Sequence, residues 1–105
     1  MANTFKNYAS ASVTTQTTVY TAPSATQSTI IGMTVANTAN ATATVSVQVT
    51  MGATTVFVVK NAPIPVGGAL VPIGGDQKVV LEAADAIKVT SDQTVDVLLS
   101  VLEIS

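Results

Sequence analysis

Six carboxylates, four lysines and one glycine-rich window are the features of this 105-residue chain whose types could do chemistry. Asp76, Glu82, Asp85, Asp92, Asp96 and Glu103 are the acids, and Lys6, Lys60, Lys78 and Lys88 are the bases. General acid–base work would need two carboxylates to converge in a cleft. These fall one by one at turns or at alternating strand positions, where a solvated charge opposes edge pairing. With no His and no Cys, Ser-His and Cys-His dyads are impossible. A calcium site gathers several oxygens in one loop, and "GGDQK" and "TSDQTVD" each supply one or two. No catalytic, metal or cofactor site is expected.

The window "KNAPIPVGGALVPIGGDQK" (60–78) invites comparison with a phosphate cradle. Such a cradle needs a glycine loop ending in Lys-Ser/Thr at a helix N-terminus. Here Gly67-Gly68 runs into Ala69-Leu70-Val71, and Gly74-Gly75 runs through Asp76-Gln77-Lys78 into a β-branched stretch. Pro63 and Pro65 hold the chain extended and remove ladder donors, which predicts a sheet edge or corner. The window reads as turn chemistry.

Composition narrows the partners. Hydrophobic residues make up 48% and charged residues 10%, with a net charge of −2 and a mean hydropathy of +0.52. The scattered lysines cannot drive counterion release, so no nucleic acid is expected. No stretch is apolar enough to span a membrane. "MANTFKNYASASV" has no apolar signal region, so synthesis in a cytoplasm without export is expected. A surface so poor in charge would be Thr, Ser, Ala and aliphatic, and would associate. The composition predicts a member of an assembly, with homo-oligomerisation expected.

The elements that must position these residues are strands. In "ATVSVQVTM" (43–51), Val45, Val47, Val49 and Met51 alternate with Thr44, Ser46, Gln48 and Thr50. Gly52-Ala53 then predicts a hairpin to "TTVFVVK" (54–60). Further strands are expected in "SVTTQTTVYTA" (12–22), "TIIGMTVAN" (29–37, with Ile31, Met33 and Val35 on one face), "ALVPI" (69–73), "KVVLE" (78–82) and "AIKVTS" (86–91). "TVDVLLSVLEI" (94–104) is apolar on both faces near Leu98 and Leu99, which predicts a strand covered on each side. The fold class is all-β, a single antiparallel β-sandwich of jelly-roll or Ig-like type. Residues 12–105 form it, and 1–11 are an extended N-terminal arm.

Only Phe5, Tyr8, Tyr20 and Phe57 are aromatic, too few for a sugar-stacking platform. Phe57 is expected in the core, and Tyr20 at its margin with the hydroxyl in water. Phe5 and Tyr8 stand in an otherwise small, polar arm, which either docks into a neighbouring subunit or folds back on its own sandwich. With Lys60, Asn61, Pro63, Ile64 and Pro65 of the proline corner, they are the candidate interface residues.

From Val19 onward the chain resembles a family of small structural proteins of tailed bacteriophages. The resemblance is carried by "VYTAPSATQSTIIGMTVANT" (19–38), "VVKNAPIPVGGALVPIGGDQKVVLEAADAIKVTS" (58–91) and "VDVLLSVLEIS" (95–105). It implies a virion component made in the host bacterial cytoplasm, with the major capsid protein or other virion proteins as partners. A capsid decoration or cement protein is the expected type. A neck, connector or tail-associated subunit and a host-surface adhesion module are the alternatives. Where such proteins often have Gly-Asp before the late strand, this chain has Ala84-Asp85, which favours a type I turn there.

Overall fold

A computed structural model describes residues 3–74 and 78–104 of the protein, and these described residues form nine strands. They are β1 (Asn3–Val13), β2 (Thr17–Thr21), β3 (Gln27–Asn37), β4 (Ala43–Met51), β5 (Thr54–Ile64), β6 (Ala69–Ile73), β7 (Val79–Leu81), β8 (Ala86–Ser91) and β9 (Val95–Ile104). One sheet has the order β1-β9-β3-β6, with β7 also paired to β3. The second has the order β2-β8-β4-β5. All described pairings are antiparallel. Setting the short β7 aside, each sheet has four strands, and every neighbouring pair except the β4–β5 hairpin joins strands distant in sequence, which is jelly-roll connectivity. Of the two sandwich types open from sequence, the chain adopts this one.

The core lies between the sheets and is aliphatic. Val45, Val47 and Val49 of β4 are buried while Thr44, Ser46, Gln48 and Thr50 point outward, as their alternation predicts. Met51, expected on the dry face, sits at the hairpin end and is 41% exposed. In β3 a register shift between Ile30 and Gly32 corrects the expected face. Ile30, Met33 and Val35 are buried, and Ile31 is turned outward and only half-buried. In β9, Val95, Val97, Leu99 and Val101 face the core, but Leu98 is 51% exposed. That strand is flanked on both edges and covered on one face only, because no layer lies outside its sheet.

The segment expected as an arm is the outer strand of the first sheet. Residues Asn3 to Ser10 pair in continuous register with Ile104 to Val97 of the same chain. The strand continues to Val13, so the break expected at 11/12 falls at 14–16, between β1 and β2.

The glycine window resolves into strand and turn. β5 runs through Pro63 to Ile64 at the edge of its sheet. The Gly68 amide then donates to the Pro65 carbonyl at 2.9 Å across a tight turn, with Gly67 at φ +77°. That is the third position of a type II turn, where a side chain is disfavoured. Of the second glycine pair, Gly74 follows β6 directly; 75–77 lie outside the described residues. At the β4–β5 hairpin, Met51 pairs with Thr54 across Gly52-Ala53, with Gly52 at φ +60°. This is the glycine-first two-residue connection.

The turn at 82–85 corrects the type I expectation. Asp85 N–H donates to the Glu82 carbonyl at 3.0 Å, and Ala84 has φ +72°, so the turn is type II with alanine where glycine fits best. Ala84→Gly is expected to stabilise the protein by up to about 1 kcal/mol, because relief of the left-handed alanine outweighs glycine's larger unfolded-state entropy. A higher urea midpoint at unchanged slope is the readout.

Candidate functional site

The one charged residue buried among the described residues is Glu103, the last inward position of β9. Its Oε2 accepts hydrogen bonds from Tyr20 Oη at 2.7 Å and Tyr8 Oη at 2.8 Å. Because the Tyr20 proton goes to the carboxylate, Ser28 Oγ is the donor in its 2.7 Å contact with Tyr20 Oη. Lys6 Nζ lies 3.6 Å from Glu103 Oε1, and the two tyrosine rings meet at 4.8 Å between centroids. Four strands contribute: β1, β3 and β9 from one sheet, and β2 from the other. Alternation along β9 puts Glu103 beside Val101, pairing brings Lys6 and Tyr8 over it from β1, and the facing sheet supplies Tyr20.

The electrostatics follow from burial and donors. Burial pushes the Glu103 carboxyl upward, but the hydrogen bonds from Tyr20 and Tyr8 and the charge of Lys6 outweigh it and hold the group below its ordinary value. Burial, reinforced by the adjacent carboxylate, raises the hydroxyls of both Tyr20 and Tyr8. Tyr20 therefore sits at the centre of a polar network rather than with its hydroxyl in water. Among the described residues every buried polar side-chain atom has a partner, and no second carboxylate enters the network. The network clamps four strands together.

Three of the other four described carboxylates hold backbone. Asp85 Oδ2 accepts from Glu82 N at 3.0 Å, Asp92 Oδ1 from Thr44 N at 2.8 Å, and Asp96 Oδ1 from Ser12 N at 2.9 Å. Asp76 lies outside the described residues.

The candidate interface residues fall into two groups that the fold keeps apart. Phe5 and Tyr8 are on β1, whose edge of the sandwich is shared with β2; β5 and β6 share the opposite edge. Phe5 points outward and is 75% exposed, whereas Tyr8 points inward to Glu103. On β5, Lys60 Nζ lies 5.1 Å from the Phe57 ring centroid. Phe57, expected in the core, is half-exposed because β5 is an edge strand whose register breaks twice against β4. Asn61 has φ +54° at this irregular edge, and its N–H donates to Ser46 Oγ at 3.0 Å. Pro63 and Pro65 are exposed, but Ile64 is only 1% exposed. It belongs to the core, and its carbonyl accepts from the buried Asn37 Nδ2 at 2.9 Å.

A feature that residue-by-residue reading missed is the contrast between the two outer faces. The β2-β8-β4-β5 sheet presents Thr18, Thr44, Ser46, Gln48, Thr50, Lys88 and Thr90 along β2, β4 and β8. The β1-β9-β3-β6 sheet presents an apolar row instead: Phe5 is opposite Leu102, Leu102 opposite Thr29, and Thr29 opposite Val80. Leu98, Val71 and Val80 are all more than half exposed on this sheet. A shallow hollow beside the row is lined by Phe5, Asn7, Ile31 and Ser100. The signal was present in the doubly apolar β9, since a strand with one face in the core exposes whatever stands on its other face.

Two crystal structures of a pentameric capsid protein isolated from metagenomic phage sequences are similar to the chain. Each is 19% identical over 92% of it, with TM-scores of 0.42 and 0.41. The chain spans about three-fifths of the length of those proteins, 59% and 60%. No family model and no curated protein matches.

Two outcomes are expected of the clamp. Tyr20→Phe leaves Ser28 and the carboxylate each one partner short in a buried site and should cost about 2 kcal/mol in urea unfolding. Because the Glu103 carboxyl is depressed in the fold, its contribution is present above its ordinary value of 4.5 and is lost as pH falls through the folded value. The raised tyrosines act at the other end, their contribution falling as pH rises above 10.0. Glu103→Gln should flatten the acid limb of a plot of stability against pH and weaken the alkaline limb, leaving there the part that comes from burial of the tyrosines.

Proposed function

We propose that the protein is a non-enzymatic structural component of a bacteriophage virion, and within the virion a decoration or cement protein that reinforces the head shell. The observation that carries this reading is the exposed apolar face of the β1-β9-β3-β6 sheet. Exposed apolar side chains on this outer face, in a chain with 10% charged residues, favour life in an assembly. The resemblance of residues 19–105 to small phage structural proteins supplies the context, and jelly-roll connectivity is frequent among viral shell domains. Fold alone implies no function, so the weight rests on the face and the resemblance together.

The mechanism is burial rather than chemistry. The row from Phe5 to Val80 lies on the major capsid protein, with Leu98 on the same face two outward positions along β9 from Leu102. The outer face of the second sheet, polar along β2, β8 and β4, remains toward solvent. A second reading, a ring subunit of the neck or tail, is favoured by the positions of β1 and β5 at opposite edges, which suit head-to-tail contact between neighbours.

The test is the number of copies per purified virion, measured by quantitative mass spectrometry against the major capsid protein. A count comparable to that protein is expected of decoration. A count fitting one ring moves the protein to the neck or tail, and absence from the particle removes the virion reading. In parallel, Leu98→Asp should weaken binding to undecorated heads at least tenfold while changing stability by no more than about 0.5 kcal/mol, the usual range for exposed sites.

A further inference from the structure

β1 is long and weakly committed to the core. Of Asn3 to Ser10, only Tyr8 and Ser10 are even half-buried. What holds these residues is the ladder to β9, the Tyr8 hydroxyl on Glu103 and the Lys6 ammonium beside it. Apart from the ring of Tyr8, which packs on the core and against Tyr20, no side chain of this stretch is set into the core. What would be uncovered is specific: an open β9 edge, and Glu103 buried with one of its two tyrosine donors gone.

The join between β1 and the rest of the sandwich is short and strained. The register with β9 shifts between Ser10 and Val13, and Ser12 within that shift has φ +58°, held by its N–H bond to Asp96. Val13 is 4% exposed and anchored in its own core, and only residues 14–16 separate β1 from β2 in the opposite sheet. A left-handed serine is unfavourable relative to an extended one. Letting Ser12 extend carries residues 3–10 away from their own β9.

The geometry points to exchange of β1 between copies of this chain: residues 3–10 of one subunit pair with β9 of another and place Tyr8 on that subunit's Glu103. The vacated edge fits a second copy because the same ladder, the same tyrosine and the same lysine are regenerated there, while the hinge strain is released. Short strained hinges favour this kind of swap. The opposite edge carries the usual protections against added strands, with Pro63, the left-handed Asn61 and two register breaks on β5. β1 has none of these between Asn3 and Ser10. Exchange leaves Phe5 on the apolar face, so it does not depend on the role proposed for that face.

The chain has no cysteine, which permits a direct test with single-cysteine variants. Asn7 and Ser100 are register partners, both exposed. Asn7→Cys and Ser100→Cys proteins are unfolded, mixed, refolded together at high concentration and oxidised, then separated on a non-reducing denaturing gel. Exchange predicts a disulfide-linked heterodimer in several-fold excess over the dimers formed by either variant alone. A mixture giving no more than the separate variants overturns the proposal. Introducing Ser12→Gly into both proteins relaxes the closed form and should lower the heterodimer fraction. A fraction unmoved by that change removes the hinge and the proposal with it.

Discussion

A buried carboxylate stabilises a fold only when every lone pair that matters finds a donor. Glu103 meets that condition through residues that no local element could supply. Tyr8 reaches it from β1, and Tyr20 reaches it from the facing sheet with Ser28 behind it. The register of β1 on β9 and the depth at which β2 sits against the first sheet are tied to this group. A shift of β1 by one residue would turn Tyr8 to the outer face and leave the clamp half-made.

The clamp and the apolar face belong to the same two strands. β9 sends Val97, Leu99, Val101 and Glu103 inward and Leu98 and Leu102 outward; β1 sends Tyr8 inward and Phe5 outward. Fixing the inner set therefore fixes the outer one, since strand geometry allows no independent choice. Which residues of β1 and β9 face outward is thus set by the network on the other side of the sheet. Edge β5, by contrast, is irregular and closed to strand addition, its left-handed Asn61 donating to Ser46 and its Ile64 carbonyl accepting from Asn37.

Backbone irregularity is concentrated where the chain turns between sheets. Gly67 occupies a position that glycine suits, while Ala84 and Ser12 take similar dihedral angles without that advantage. At 82–85 the turn is held by an i to i+3 bond and by Asp85 on the Glu82 amide. At Ser12 the restraint is a single exposed bond to Asp96. Similar conformations thus have different consequences, because one lies in a closed turn and the other at the root of a detachable strand.

Period-two alternation with β-branched residues was enough to determine the fold class, the bounds of β6 and β8, and the wet and dry faces of most of β4. Those properties depend on side chains two positions apart, and the chain itself carries that spacing. Glu103 lies two residues beyond Val101 on the same inward face, but as an acid at an alternating strand position it was expected to be solvated, and it is buried. Tertiary structure alone decided the rest. Tyr8 and Glu103 are 95 positions apart, and Tyr20 and Glu103 are 83 apart, so no local rule could join them. Whether β1 was an arm or a strand, and whether Leu98 was covered, depended on which strands became neighbours and whether a further layer lay outside them. Strand order is set by the packing of the whole sandwich, which is why the face most suited to a partner emerged only once the sheets were assembled.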